Sequence, residues 1–452
     1  MHHVTMKRSG TIRYSALVIF GVSMSMSGIA SAESINLSAT NYGECPDSAD
    51  GNVHATSEYI PIAYSGAAIT LGAHSNVYGD IQSVAAVTLG EAADVGGSIL
   101  AGAAVTVEKD GKVNGDVRAG QAATLGDSAS VCGDLSARAE VFIGAQSKIS
   151  GDLTSSRGIT LGAAAKVLGN TTAENSVTLG AGAEAASSVR AMTGPIILGA
   201  HATVQGAAEA GSIISMGMNA IVEGTEKPNA VPEHFDNKAE SPIAKKTDEL
   251  TQKQKKLSET FVETYNELTT TIDTSRDFYP GVYHASALTT TAGITLTFIG
   301  DGPREQVEWL INIDTYLSFG ANVTIDLVDV AEGSSIIFNT GTYTTIGANS
   351  IFRGVIVAGS YITTGENTTI TGVGEHCGGI SATNGAITIG AHSTFGASGC
   401  WQTRQEDESY EHENHEDESY EHENHEDERY EDESYEHENH EDESYEDEYN
   451  DD

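Results

Sequence analysis

The chain has little of what fills an ordinary globular core. Aromatic residues are 6% of its 452 positions, with two tryptophans and ten phenylalanines, and proline occurs eight times. Cations are scarce as well, since 23 Lys and Arg stand against 65 Asp and Glu, a formal net charge of −42. Nucleic acid and anionic membrane surfaces repel such a chain, which argues against both as partners. The excess is uneven: residues 406–452 hold 26 acids against the single Arg429, so −25 sits there and −17 remains elsewhere. Cysteines are few. Cys45, Cys132, Cys377 and Cys400 lack the CxxC spacing of a zinc site and allow three disulfide pairings. Cys377 and Cys400 flank one glycine-rich turn and are the expected pair. Beyond the first thirty or so residues no apolar run is long enough to insert in a membrane.

That first run follows Lys7, Arg8 and Arg13 and leads through "YSALVIFGVSMSMSGIA" to Ala30-Ser31-Ala32. A basic start, an apolar stretch and a small-residue motif predict a secretory signal peptide over 1–32, cut after Ala32. The competing reading, a membrane anchor, does not account for the cleavage motif. The expected location is therefore extracellular, free or at the cell surface, where disulfides persist.

Glycine, by contrast, occurs 49 times, and its positions are periodic. One column stands at Gly72, Gly90, Gly126, Gly144, Gly162 and Gly180, with Glu108 in the missing slot, and resumes at Gly199 and Gly217 after one inserted residue. A second lies seven residues later, from Gly79 to Gly224, with Ser187 as its gap. Nine units of 18 residues at a strict period indicate a repeat architecture. Apolar residues alternate within each unit, as in Ile69, Leu71 and Val87, Leu89, which is strand periodicity. The sequence thus predicts a mainly β protein, a β-solenoid in which each coil buries its apolar edge against the next. Nine coils at about 4.8 Å make a rod of roughly 43 Å.

The boundaries follow from these shifts: an N-terminal cap at 33–65, regular solenoid at 66–227, linker and helix at 228–280, a second solenoid region at 281–404 and an acidic, His- and Tyr-rich tail at 405–452. Ser241 and Pro242 make a favoured helix start. The stripe Ile243, Leu250, Leu257, Phe261, Tyr265, Leu268 and Ile272 predicts one long amphipathic helix over 242–272, about 46 Å, expected to lie along the rod. A free coiled-coil segment is the alternative, disfavoured by the few sustained heptads.

The order of that helix, "YPGVY" (279–283), "LTFIGDG" (296–302), "RGVIVAGSYITTGENTTITG" (353–372) and "NGAITIG" (384–390) resembles the ice-binding-protein-like family over roughly residues 240–400. The resemblance implies a secreted right-handed β-solenoid with a helix packed alongside, and adsorption to ice through a flat face without catalysis or cofactor. The region before the helix is longer and far more regular than in that family, and its "VTLG…VxGDI" coils look similar to bactofilins, which are polymer-forming β-helices of bacteria.

With Ile69 and Leu71 inward, alternation turns Thr70 outward. The same position holds Thr88, Thr106, Thr124, Thr160 and Thr178, and in the C-terminal coils Thr345, Thr363 and Thr388, flanked mostly by small residues. Phe142, Ile197 and Ile214 are expected to interrupt it. Ice is a repeating lattice, and threonine suits it because its β-branched side chain has few rotamers to lose. The plain alternative is strand propensity and cross-strand Thr pairing. A second column, Asp80, Asp116, Asp134 and Asp152, either caps its own turns or bridges calcium, the former being expected. The tail pairs His412 with His415, His422 with His425 and His437 with His440, which suits weak zinc or nickel binding or simply a solvated polyanion. No nucleophile, base or metal constellation emerges, so an enzyme is not expected. Two function classes remain: an ice-binding protein using the Thr face, and a structural or surface-associated solenoid that self-associates or meets a cell-envelope partner.

Overall fold

Each repeat lays down three short strands, exemplified by Ala63–Ser65, Ile69–Leu71 and Asn76–Val77 in the first coil. The computed structural model describes residues 62–230, 243–259, 266–373 and 378–396. Among these the strands form three parallel sheets of 16, 15 and 15 strands, here A, B and C in the order in which the first coil enters them. The side chains alternate as the pattern requires: Ile69 and Leu71 are buried while Thr70 is exposed. Pairing keeps equivalent positions in line, so that Ile69, Thr70 and Leu71 face Val87, Thr88 and Leu89. Each inward Leu, Ile or Val contributes about 1.5–3 kcal/mol by leaving water. No described helix is long and apolar enough to cross a membrane.

The two solenoid regions of the sequence form a single stack. Ala63 pairs with Ile380, Thr70 with Thr388 and Val77 with Phe395, which joins the first coil to the last in all three sheets. Coils after the first extend to one end at Ile214–Met216, and coils before the last extend to the other at Thr271–Ile272. Fifteen rungs of sheet B span about 70 Å at the usual strand spacing. At this seam Gly66 donates its N–H to the Ala382 carbonyl at 2.8 Å, and a Cβ on Gly66 would run into the Thr383 carbonyl. Between sheets B and C every coil but the one at Thr271–Phe278 turns through a left-handed residue, such as His74 (φ 57°) and His392 (φ 56°), whose rings stack across the seam at 4.9 Å. In three coils of the C-terminal half that position is Asn, at Asn322, Asn349 and Asn367, the residue type that best tolerates it after glycine, and in a fourth it is Gly293.

Aromatic residues concentrate where the coils are wider. Strands Gly281–Ala285, Glu308–Ile313 and Ser335–Thr340 have five or six residues, and the space they enclose holds Phe278, Phe298, Trp309 and Phe338. Their rings pack at 4.9 to 6.2 Å, and Trp309 donates its indole N–H to the Phe278 carbonyl.

The helix departs from expectation. It runs over Ile243–Ser258, and from Asn266 the chain is already in the stack. Leu268 and Ile272, assigned by spacing to the helical stripe, are buried in the solenoid core. An i, i+4 separation also fits inward positions on successive sides of a coil, and the intervening Thr269, Thr270 and Thr271 favour strand. Nor does the helix follow the nine regular coils at its C-terminal turn. Leu257 packs on Leu310, Ile337 and Val357, on sheet A of the C-terminal half. Gln254 donates to the Thr340 carbonyl at 2.7 Å, Asn312 to the Leu257 carbonyl at 3.1 Å and Asn339 to the Ser258 hydroxyl at 2.9 Å. Of these, the Asn312 amide satisfies one of the carbonyls that a helix end leaves open. Sheet A is thereby covered in this half, and sheet B stays open.

Several expectations lie outside the described residues: the signal peptide, the cap up to residue 61, Ser241 and Pro242, Phe261 and Tyr265 of the helical stripe, the Cys377–Cys400 pair and the acidic tail, while Ala63–Ser65, assigned to the cap, is the first strand of the stack. Cys132 is disulfide-bonded, and the other three cysteines all lie outside the described residues. Substituting Gly66→Ala should destabilise the stack by roughly 1–3 kcal/mol through the clash at the seam. A lowered urea midpoint checks this; an unchanged midpoint would show that the seam is not tightly packed.

Candidate functional site

Sheet B places every threonine of the proposed column in one line. From the C-terminal half inward the register runs Thr345 to Thr363, Thr363 to Thr388 and Thr388 to Thr70. It continues through Thr88, Thr106 and Thr124 to Phe142, then Thr160 and Thr178. The seam does not break the line, so seven threonines follow one another without interruption.

The column is also longer than the sequence suggested. Thr271 pairs with Thr289, Thr289 with Ser318 and Ser318 with Thr345. Ten consecutive rungs from Thr271 to Thr124 therefore carry a hydroxyl, and Thr345 donates to the Ser318 hydroxyl at 3.1 Å. Thr271 was hidden by the helical stripe. Ser318 was legible, because "LSFG" ends on Gly320 as "ITLG" ends on Gly72. One supposed interruption is misplaced: Ser215, and not Ile214, pairs with Ile197, while Ile214 pairs with the buried Ile196. The residue inserted before Ile196 shifts the outward position by one. Phe142 and Ile197 do interrupt the column, at 49% and 42% exposed.

Two flanking rows decide the relief of this face. On one side the strand-to-strand bonds align Tyr316, Tyr343, Tyr361, Ala386, Ala68, Ala86, Ala104, Ala122 and Glu140. The three tyrosines stack at 5.1 and 4.9 Å with rings within 5° of parallel, forming a wall beside Ser318, Thr345 and Thr363. On the other side lie Gly390, Gly72, Gly90, Glu108 and Gly126. Five rungs, those of Thr388, Thr70, Thr88, Thr106 and Thr124, are thus flanked by alanine on one side and, save at Glu108, by glycine on the other. This flat patch spans the seam, with the tyrosine wall at one end and Phe142 at the other. Its methyls and hydroxyls repeat at about 4.8 Å on a backbone fixed by both neighbouring coils. Such a surface offers an ordered array and no reactive group.

The aspartates act between coils. Asp80 accepts from the Ser98 amide at 2.7 Å, Asp116 from Asp134 at 3.0 Å, Asp134 from Asp152 at 2.8 Å and Asp152 from Asn170 at 2.7 Å. The expectation that each caps its own turn is corrected, since each carboxylate bonds an amide 18 residues on, in the next coil. Ser98 fills the slot between Asp80 and Asp116, its hydroxyl accepting from the Asp116 amide. Among the described residues no group of three or more His, Cys, Asp or Glu could hold a metal ion.

One histidine stands apart. His284 sets Nε2 at 3.0 Å from Asp314 Oδ1 and Nδ1 at 3.4 Å from Glu267 Oε2. The hydrogen bond to Asp314 raises its pKa above the ordinary 6.5, with a smaller contribution from Glu267 and against a lowering by burial. The ring bridges three successive strands of sheet A, Asn266–Glu267, Gly281–Ala285 and Glu308–Ile313, the last leading into Asp314.

Residues 188–394 match the family model described as Ice-binding-like. Thr271 to Thr388 lie inside that stretch, and Thr70 to Thr178 precede it. Among solved structures the chain is similar to an ice-binding protein from an Antarctic biological consortium, at 19% identity over 53% of this chain and 86% of that one, with a TM-score of 0.30. It is similar also to a domain of ice-binding protein 1 of Shewanella frigidimarina (16%, 49% and 92%, 0.29) and to an ice-binding protein of an Antarctic Flavobacteriaceae bacterium (16%, 74% and 96%, 0.29). No curated protein matches the chain.

Two outcomes follow. Asp116→Ala strands the Asp134 amide and should cost roughly 1–3 kcal/mol, whereas Asp116→Asn, which keeps an acceptor, should retain most of the stability; urea midpoints of the pair distinguish the cases. For His284, a folded pKa above the unfolded value gives a contribution present in full below about pH 6.5 and lost as pH rises through the folded value. Asp314→Asn should bring the imidazole pKa, followed by NMR titration, back toward 6.5.

Proposed function

We propose that this chain, Ice-binding-like over residues 188–394, is a secreted protein that adsorbs to ice through the flat Thr face of sheet B. The observation that carries the proposal is the run of hydroxyl rungs passing unbroken through the seam, with its five-rung flat patch at Thr388, Thr70, Thr88, Thr106 and Thr124. A crystal surface repeats, so a binder gains from an array that repeats with it, and many weak contacts held in one plane act together. Threonine contributes a methyl and a hydroxyl at little entropic cost. Adsorption needs no bond making, and the patch offers mainly threonine, alanine and glycine, with Glu108 at its margin. Export fits the N-terminal pattern of basic, apolar and small residues, because ice forms outside cells first.

Position along the column decides the effect of a substitution. Thr88→Tyr, at the centre of the flat patch, should abolish thermal hysteresis and ice recrystallisation inhibition. Thr178→Tyr, beyond Phe142, should leave them within about two-fold, and Phe142→Thr, which extends the run to Thr178, should raise them. Full activity in Thr88→Tyr would falsify the assignment of the face, and no activity in the unaltered chain would remove ice as the target and leave the structural-solenoid reading.

A further inference from the structure

The two ends of the stack differ. At the C-terminal-half end the first coil has its core residues covered, with Leu268, Ile272 and Phe278 at 7%, 4% and 2% exposed, and its rim is polar, with Asn266, Glu267, Asp273 and Ser275 exposed. The other end is open. In the penultimate coil Ile196, Leu198, Ala202 and Val204 are at most 2% exposed, yet in the last coil their equivalents Ile214, Met216, Ala220 and Val222 are uncovered to varying degrees, Met216 to 41%. Around them Ile213 is 61%, Met218 71% and Ile221 52% exposed. Strands Ile214–Met216, Ile221–Val222 and Glu226–Pro228 are also the terminal strands of all three sheets, and among the described residues no strand pairs with their outer edges. Edges of this kind are templates for further pairing.

We propose that a second copy of this chain covers this end, coil against coil, to give a closed dimer. The surface that complements three strand edges around an apolar centre is another coil of the same cross-section. The opposite end of the stack is unsuited, because its core is already covered and its rim is polar. The open end therefore meets another open end about a two-fold axis. A two-fold contact uses up both surfaces, so association stops at two and does not grow into a fibre. The size is adequate: residues 211–228 supply 18 positions a side, close to the about 20–30 of a standard interface. Exposed Glu223, Glu226 and Lys227 form a charged border to the apolar centre, the usual arrangement of core and rim. Only the edge strand Glu226–Pro228 carries blunting residues, Lys227 and Pro228, while Ile214–Met216 and Ile221–Val222 carry none. This inference does not depend on ice binding.

Sedimentation velocity of the full chain between about 5 and 100 µM tests it. The expected result is a species of twice the chain mass. The double variant Met218→Lys, Ile221→Lys changes two exposed side chains and should weaken association at least ten-fold with an unaltered circular dichroism spectrum and unfolding midpoint. A short bis-maleimide should link copies of a Met218→Cys variant and should not link copies of a Ser275→Cys variant, whose thiol is at the covered end. A monomer at every concentration, as expected were this end covered by the chain's own segment, overturns the proposal. So do a dimer that survives the double lysine variant, linkage through Ser275→Cys, or a mass that climbs without limit.

Discussion

The structure depends on one constraint: a coil of this length satisfies few of its own backbone groups, and its N–H and C=O groups find partners in the coils above and below. Ile69, for example, donates its N–H to the Ala86 carbonyl of the next coil at 2.9 Å. Buried amides without partners are costly, so adjacent coils must match residue for residue. The side chains repeat this logic, with the Asp80, Ser98, Asp116, Asp134 and Asp152 series bonding the next coil's amide. Once register is fixed in this way, whatever residue stands outward at one position becomes a line on the surface. The hydroxyl column follows directly.

The face owes its relief to neighbours of the column more than to the column itself. Alanine and glycine flank the threonines around the seam and leave them level, whereas Tyr316, Tyr343 and Tyr361 raise a wall and Phe142 raises a barrier. Which sheet stays open is decided elsewhere. The helix Ile243–Ser258 lies over sheet A of the C-terminal half, held by Gln254, Asn312 and Asn339, and so leaves sheet B free.

Much of this could be read from residue order because glycine marks the positions where coils approach most closely. Period, alternation and the threonines from Thr70 to Thr178 and from Thr345 to Thr388 come from that marking alone. Reading failed where spacing carries two meanings. Leu268 and Ile272 satisfy a helical stripe and also two sides of a coil, and only neighbouring coils decide between them. Thr289 lacks the glycine marker, having Thr291 in its place, and the wider C-terminal coils break the 18-residue count. Ile214 was set in the column because the single residue inserted before Ile196 moves every later outward position by one. The aspartates were assigned to their own turns because local turn chemistry takes no account of an amide 18 residues away.

The seam has a consequence for the order in which the molecule is assembled. The first coil pairs with the last across about three hundred residues of chain, as Thr70 does with Thr388. During synthesis the regular coils can stack on one another as they emerge, yet the inner edge of the first stays unmatched until Ile387–Ile389 is made. The centre of the finished rod is therefore the last place to close. Coils could be gained or lost by duplication among the regular repeats without disturbing that closure, since such changes lengthen the outer arm and leave the keystone pair in place.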